Sequence, residues 1–321
     1  METGPRLAGS NLRNFALMQI GLRLAEDRSD PARPYRDARI EVGRFDDGRW
    51  RSGVSLLNGT PDLAIAVGKG ELDVASINPS SFLTMAYRGT GPYAEACPVR
   101  TLAVMPSFDR MGFAVAAKTG VQSLAEVKER RVPLKISVRG NLAHATRFLV
   151  DQVLDADGFS LKDIESWGGS LVFADSPSEP ARLEAITSES IDAVFDEGIG
   201  GWAPLALQHG MKLLTLSEAA LTRLETLGWA VGPITPAQVP GLSGEVMAAS
   251  FSGWPIFTHA DLAENAAYQI CRALDRARPS IPFDIDEPAE LKDLCTNNPA
   301  TDLDVPLHPG AERYYREHGA L

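Results

Sequence analysis

An arginine between an apolar run and a glycine carries the clearest chemistry in this sequence. Arg139 follows Leu134–Val138, which has the pattern of a strand, and precedes Gly140, where a helical pattern opens. A planar guanidinium at that place can pair with both oxygens of a carboxylate. The N–H groups of Asn141 and Leu142 can meet the same carboxylate. The pattern predicts a carboxylate anchor, and the alternative is a surface arginine paired with a neighbouring acid.

Polar residues also stand at the ends of other predicted strands. In doubly wound sheets, ligands bind at the carboxyl ends of the strands, where helix N-termini present unpaired N–H groups. Ser and Asn favour turns and caps for local reasons, so a purely structural role is the alternative for them. The candidate ligand-binding residues are Gly9, Ser10, Asn11, Ser76, Asn78, Ser81, Ser107, Phe108, Arg139, Asn141, His144, Asp196 and Glu197.

Two acids and a histidine add charge to this set. Asp196 and Glu197 end the run Ile191–Phe195, so at least one of them should point into a cleft. They would repel a carboxylate ligand unless they neutralise Arg139, bind a cationic group or share a proton. His144 is placed to face the same cleft, and its pKa is easily shifted near neutrality. The alternative is an ordinary, partly buried histidine.

The sequence carries no signature of nucleophilic, metal or phosphate chemistry. Its three cysteines, Cys97, Cys271 and Cys295, have no CxxC or Cys/His spacing, which disfavours a zinc site and a disulfide scaffold. Cys97 stands beside Pro98 with no evident base, so a nucleophilic role is disfavoured. We therefore predict no catalytic residue, no metal site and no cofactor.

Alternating strand and helix patterns supply the elements that would position these residues. That order is typical of a parallel sheet with helices on both faces. Ser123 and Glu126 form a capping pattern, which predicts a helix that ends before Pro133. The predicted strands are 39–42, 72–77, 101–105, 112–117, 134–138, 171–174, 191–195 and 246–251. The other predicted helices are 12–26, 61–67, 82–87, 142–154, 181–187, 261–276 and 311–317.

The order of elements occurs twice, which predicts two similar lobes. LDVA at Leu72–Ala75 and IDAV at Ile191–Val194 occupy the same place in each copy. Apolar stretches on either side of Pro106–Asp109 place the first crossing between lobes there. From Gly228 the chain is rich in Gly and Pro, which disfavours regular structure and indicates a surface passage back. The predicted division is a discontinuous first lobe, 1–106 and 245–321, and an inserted second lobe, 107–244.

Composition narrows the class of function. The 321-residue chain has a formal net charge of -11, and its 31 Lys and Arg residues are scattered, which argues against nucleic-acid binding. No window approaches the ~18 apolar residues of a membrane span, so we expect no direct membrane insertion. Met1–Asn11 lacks the apolar core of a secretory signal. We expect a cytoplasmic protein, or a periplasmic one if a signal peptide precedes this sequence.

Four stretches of the sequence resemble one known family. They are NGTPDLAIAVGKGELDVASI (58–77), SLAEVKERRVPLKISVRG (123–140), IDAVF (191–195) and PLHPGAERYYREHG (306–319). Together they resemble the TAXI-type solute receptors of tripartite (TRAP) transporters, which have the type II periplasmic-binding-protein fold. The resemblance implies an α/β protein of two lobes, each a mainly parallel sheet flanked by helices. It also implies a hinge of two or three strands, with the ligand cleft between the lobes.

Three functions follow as hypotheses. In the first, the protein binds without chemistry, closes its cleft around a small carboxylate-bearing molecule and serves membrane transporter subunits as partners. In the second, it is a cytoplasmic enzyme of the same fold, a decarboxylase or lyase in which His144 and Asp196 or Glu197 act as acid and base on a carboxylate held by Arg139. In the third, it is a cytoplasmic ligand sensor. The receptor-like C-terminal sequence favours the first hypothesis, and the lack of an export signal in the sequence as given favours the second and third.

Overall fold

Two β-sheets with flanking helices make up the fold. The computed structural model describes residues 39–46, 49–59, 61–142, 144–278 and 289–321. The strands are β1 Arg39–Asp46, β2 Arg49–Gly59, β3 Val74–Ile77, β4 Val99–Met105, β5 Arg110–Ala116, β6 Lys135–Arg139, β7 Ser170–Ala174, β8 Ala193–Asp196, β9 Met211–Leu213, β10 Val231–Ile234, β11 Val246–Ser250 and β12 Trp254–His259. The α-helices are α1 Leu63–Gly68, α2 Ser80–Arg88, α3 Leu124–Glu129, α4 Ala145–Ala156, α5 Leu161–Ser166, α6 Pro180–Thr187, α7 Ile199–Gln208, α8 Glu218–Leu227, α9 Glu264–Ala277 and α10 Pro309–Glu317.

Most of the predicted elements are present, with ends shifted by a few residues. The helix expected from Leu142 begins at Ala145, and the one expected from Asp261 begins at Glu264. The expectation of irregular structure after Gly228 is wrong at Val231–Ile234, because this segment finds a partner in β11 and forms a strand despite Pro233. The predicted helix at 12–26 and the candidates Gly9, Ser10 and Asn11 lie outside the described residues.

Strand pairing divides the described strands into two mixed sheets. The first has the order β1-β2-β3-β12-β4, and the second has the order β10-β11-β5-β8-β6-β7, with β9 also paired to β5. Parallel pairing joins β2 to β3 and joins β6 to both β7 and β8, whereas the other pairs are antiparallel. The expected mainly parallel direction is therefore corrected. β5 follows directly from β4 of the first sheet, and β12 follows directly from β11 of the second. Each is antiparallel to a neighbour that follows a crossover helix, β8 for β5 and β3 for β12.

Two adjacent chain crossings join the sheets. The first runs from the end of β4 at Met105 to Arg110, and the second runs from the end of β11 at Ser250 to Trp254. The N–H of Phe251 donates to the carbonyl of Asp109 (3.0 Å), and the N–H of Gly253 donates to that of Ser107 (2.9 Å). This paired connection confirms the expected two-lobed α/β fold. The lobe limits at 107 and 245 stay a prediction, and strand pairing puts Val246–Ser250 in the second sheet.

Aromatic residues pack across the two halves beside the crossings. The ring of Phe82 on α2 lies 5.8 Å from Phe148 on α4 and 5.2 Å from Trp229, both edge to face. Trp229 in turn stacks on Phe251 in the second crossing at 6.4 Å. Such pairs add about 0.5–1.5 kcal/mol each beyond the burial of their area. One apolar cluster therefore runs from the helices of the first sheet to those of the second.

The C-terminal motif completes the first sheet. His308 caps α10, because its Nδ1 accepts the N–H of Gly310 (3.1 Å). The backbone N–H of His308 donates to the carbonyl of Thr101 on β4 (2.8 Å). A side chain at Gly310 would overlap the carbonyl oxygen of Glu264. Only glycine permits this approach of α10 to α9. The hydroxyl of Tyr315 donates to the carbonyl of Leu102 (2.8 Å), which fixes α10 on β4.

Gly253 in the second crossing provides a test of how tightly the crossings are packed. Its φ is +75°, and an added Cβ would overlap Ser80 Oγ and come within 3.0 Å of Val104 Cγ1. Gly70 is a matched control, since its φ is +72° with nothing within 4 Å of an added Cβ. We expect Gly70→Ala to lower the free energy of unfolding by ~1–2 kcal/mol through backbone strain alone, and Gly253→Ala by ~2–4 kcal/mol. Urea denaturation measures both free energies of unfolding. Equal losses in the two variants would show that a methyl group fits at Gly253 without a clash.

Candidate functional site

A cavity of about 510 Å³ lies where the two crossings meet the ends of the sheets. Its size suits a small organic molecule. It draws its walls from both halves of the fold, unlike the cavity of about 550 Å³ that elements of the second half alone line. The lining residues are Asn78, Ser107, Phe108, Asp109, Pro177, Ser178, Glu197, Gly198, Ile199, Gly200, Gly201, Gln238, Phe251 and Trp254.

Asp109 joins the first crossing to the start of α7. Its carboxylate accepts the N–H of Gly198 at both oxygens (3.0 and 2.8 Å) and the N–H of Ile199 at Oδ1 (3.3 Å). The N–H of Arg110 also donates to Oδ1 (2.7 Å). A carboxylate is favoured here because the first N–H groups of a helix lack partners and carry the positive end of the helix dipole. Gly198 connects β8 to α7, and its φ of +63°, which glycine adopts readily, allows the turn between them.

A buried ion network lies behind the cavity wall. Arg139 Nη2 pairs with Glu197 Oε1 and lies 3.3 Å from Asp196 Oδ1, while its Nη1 donates to the carbonyl of Asp175 (2.6 Å). Arg182 on α6 pairs with the other oxygen of Asp196, and its Nε donates to Ser137 Oγ (2.9 Å). Both arginines and Asp196 are buried. Removing one member of such a network leaves an uncompensated buried charge.

The carboxyl groups of this region outnumber its guanidinium groups. Burial raises the pKa of Glu197 to about 8, the neighbouring charge of Asp109 adds to the rise, and Arg139 opposes it. Burial also raises the pKa of Asp109 to about 6, although its N–H bonds from Gly198 and Arg110 act the other way. Asp109 also faces Arg110, which interacts with Asp302 as well, so four acids, Asp109, Asp196, Glu197 and Asp302, stand against the three guanidinium groups of Arg110, Arg139 and Arg182. One proton, held between Glu197 and Asp109, neutralises the set at neutral pH.

Arg110 links the two crossings through hydrogen bonds of its guanidinium group. Its buried Nη1 donates to Ser250 Oγ (2.9 Å) and Ser252 Oγ (2.6 Å), and its guanidinium stacks on the ring of Phe108 at 4.5 Å. The hydroxyl of Ser250 donates to Asp302 (2.5 Å), whose pKa burial raises to about 6. The network therefore fixes Phe108 as a wall of the cavity.

The structure brings four of the predicted residues to this cavity. Asn78, Ser107, Phe108 and Glu197 all line it. Phe108 is half-buried. Ser107 is buried, and its backbone N–H donates to the carbonyl of Ala300 (3.0 Å). They come from three separate parts of the chain, as the rule for strand ends predicts.

Other predicted residues lie elsewhere. Arg139 and Asp196 sit in the buried network, so Arg139 is engaged by protein acids, one of the alternatives that the sequence left open. Ser81 is buried and accepts the N–H of Ala230 (3.2 Å), which makes it a contact between the two halves. Ser76 lies within β3, opposite Ile256 on β12.

His144 and Asn141 belong to the start of α4. His144 Nδ1 accepts the N–H of Thr146 (3.2 Å), which caps the helix, and the carbonyl of Asn141 accepts the N–H of His144 (3.1 Å). His144 lines a different cavity, of about 190 Å³, with Phe82 and Phe148 among its walls. His144 and Glu197 therefore do not share a cavity.

Sequence reasoning missed several residues that shape the site. Asp109 directly follows Ser107 and Phe108, which were predicted. The glycine-rich run Gly198–Gly201 is the signal in the sequence that could have indicated the turn into α7. Trp254 stands just beyond a predicted strand, in the second crossing. Arg182 had no signal, because an arginine within a short helix pattern is ordinarily a surface residue.

One family model and several solved structures are similar to this chain. A family model described as the NMT1-like family matches residues 47–319. The chain is similar at 16% identity to the alkanesulfonate-binding protein SsuA from Xanthomonas axonopodis pv. citri bound to MOPS, over 80% of this chain and 70% of that one, with a TM-score of 0.29. It is similar at 14% identity to the glycine/betaine/L-proline-binding protein ProX from Borrelia burgdorferi, over 62% of each chain, with a TM-score of 0.36.

No helix among the described residues is long and apolar enough to cross a membrane. Within the same residues, no group of three or more His, Cys, Asp or Glu side chains is arranged to hold a metal ion.

The raised pKa of Glu197 predicts a pH-dependent stability. The folded protein keeps the proton of Glu197 up to about pH 8, whereas the unfolded chain releases it near 4.5. Because the folded state binds this proton more tightly, proton binding by Glu197 stabilises the fold. This stabilisation is complete below pH 4.5 and is lost as the pH rises toward 8, so the free energy of unfolding falls in that window. In Glu197→Gln we expect the fall between pH 5 and 8 to be smaller by on the order of 1–3 kcal/mol.

Urea denaturation at several pH values measures this difference. Glu129→Gln, at an exposed position on α3, is the control and should follow the wild-type curve. Parallel curves for wild type and Glu197→Gln would mean that Glu197 does not carry the proton.

Proposed function

The chain belongs to the NMT1-like family, and we propose that it is a solute-binding protein that closes around a small organic molecule. The observation that carries the proposal is the cavity of about 510 Å³ whose walls come from both halves of the fold and both crossings. A solute there would contact Asn78 at the first sheet and Gly200 at the second. Contacts from both sides favour the closed arrangement of two lobes over the open one.

The crossings suit this function mechanically. They are two short segments side by side, and hinges are typically a few residues at the ends of elements that absorb the rotation. Phe108 belongs to one crossing, and Phe251 and Trp254 belong to the other or follow it directly. A bound solute would therefore touch the hinge itself, which ties occupancy to the angle between the halves.

A finer proposal concerns the solute and its partner. The resemblance to TAXI-type receptors supports a carboxylate-bearing solute and delivery to the membrane subunits of a transporter. Glu197 lines the cavity and pairs with Arg139. In this proposal the solute carboxylate takes the place of the Glu197 carboxyl beside Arg139, and Glu197 keeps its proton, which its raised pKa of about 8 favours.

The enzymatic alternative has less support. It requires His144 and an acid on opposite sides of one substrate, whereas His144 caps α4 and Glu197 lines another cavity. Product analysis of the binding mixtures distinguishes the two functions, because a binding protein returns its solute unchanged.

A leucine at Gly200 tests the cavity as the binding site. Gly200 lines the cavity, lies in α7 and has nothing within 4 Å of an added Cβ, so a larger side chain fills space without a clash in the core. A panel of mono- and dicarboxylates, aromatic and aliphatic, with amines beside them, should contain a compound that stabilises the wild type by ~2.7 kcal/mol at a hundred times its Kd. We expect Gly200→Leu to lose this stabilisation and keep the wild-type fold, as seen by circular dichroism.

Gly244→Leu is the matched control, since Gly244 also has open space around an added Cβ and lies outside this cavity. It should respond to the same compound as the wild type does. A compound that stabilises wild type and Gly200→Leu equally would place binding elsewhere, and a panel without any stabilising compound would remove the proposed function.

A further inference from the structure

We propose that Asp109 is the specificity-determining residue of the cavity: it occupies the N–H groups at the start of α7, so the end of the solute against α7 carries a hydrogen-bond donor, an ammonium or hydroxyl, and not a carboxylate. The inference rests on the proposed binding of a small solute in this cavity. It concerns which chemical group each end of the solute bears.

A carboxylate of the protein itself already occupies the start of α7. The N-terminus of a helix is ordinarily a site for an anion. At α7 the carboxylate of Asp109 already accepts the N–H groups of Gly198 and Ile199 at 2.8–3.3 Å. A solute carboxylate at the same place would have to displace it, or lie beside it and be repelled.

Acidic groups outnumber guanidinium groups behind the cavity. Asp109, Asp196, Glu197 and Asp302 stand against three guanidinium groups, those of Arg110, Arg139 and Arg182. A second anion next to Asp109 adds to an excess that a proton already has to neutralise. A donor group instead meets the carboxyl pair of Asp109 and Glu197, whose oxygens accept hydrogen bonds, and at low dielectric the sign of a neighbouring charge weighs more than in water.

The remaining wall of the cavity is aromatic and neutral. Trp254 lines the cavity and can attract a cation to the face of its ring, whereas Phe108 already carries the guanidinium of Arg110 on one face. Ser178 and Gln238 add neutral groups that can accept hydrogen bonds. Gly200 leaves open space beside the start of α7, so a solute group can approach Asp109 there.

A matched pair of probes tests the preference directly. 4-Aminobutyrate and glutarate share a carboxylate and three methylene groups and differ only in the second end group. We expect calorimetric titration of the wild type to show at least tenfold tighter binding of 4-aminobutyrate. In Asp109→Asn, which keeps an acceptor oxygen but loses the charge, the ratio should fall by at least fivefold. Equal or tighter binding of glutarate by the wild type overturns the inference while leaving the proposed function intact.

Sulfate provides a second test that does not depend on the identity of the solute. Asp109→Ala empties the start of α7, so sulfate should raise its melting temperature saturably by ~3 °C more than that of the wild type at equal ionic strength. Glu165→Ala is the control, since it also removes one acid but at an exposed position in the last turn of α5, so it opens no helix start. It should respond to sulfate as the wild type does.

The outcomes separate the two proposals. Saturable stabilisation of the wild type by sulfate to the same extent as Asp109→Ala, or none in Asp109→Ala, overturns the occupancy of α7 by Asp109. If Asp109→Ala lacks the wild-type circular dichroism, Asp109→Ser replaces it, because the serine hydroxyl is too short to cover both N–H groups. A panel in which nothing binds counts against the proposed function, and the sulfate experiment still decides the role of Asp109.

Discussion

The hydrogen bonds of Asp109 are the interaction on which the rest of the site depends. This residue lies between β4 and β5, so its backbone belongs to a crossing, and its carbonyl accepts the N–H of Phe251 from the other crossing. Its side chain reaches the start of α7 in the second half of the fold. One residue thereby sets the spacing of the crossings and the position of the helix. Phe108 and Gly200, which flank these bonds, become two walls of one cavity.

The buried charges behind the cavity serve specificity better than stability. Burying an ion pair costs desolvation that the attraction between its members offsets only when geometry is good, and an apolar replacement is often as stable. Arg139 and Arg182 share Asp196, and each finds a further oxygen, so no member can turn away without leaving a charge unmet. Such a network holds the Glu197 carboxyl at the cavity surface, and in the proposed function only another carboxylate can take its place beside Arg139 without leaving a charge unmet.

Local patterns in the sequence predicted many of the elements but not α7, α8 or β12, and they predicted strand pairing less well. Leu134–Val138 and Ile191–Phe195 are apolar runs next to turn residues, a signal that needs no knowledge of the rest of the chain. Pairing is a long-range property: Val231–Ile234 forms a strand because β11 lies beside it, although Gly and Pro argue against it locally. The same limit applies to the site. Arg139 was identifiable as a guanidinium at a strand end, but its engagement by Glu197 and the approach of Arg182 from α6 follow from tertiary structure alone.

Asp109 illustrates why the polarity of a cavity is harder to infer than its place. The rule that helix starts attract anions holds at α7, and the anion is supplied by the protein itself from 89 residues earlier in the chain. A sequence shows the glycine-rich start of the helix but cannot show whether it is filled. Once it is filled, the same geometry that would have favoured an acidic solute presents acceptor oxygens instead. Topology therefore sets the place of the cavity, while in the proposed function the end group that it prefers depends on a single contact between a crossing and a helix.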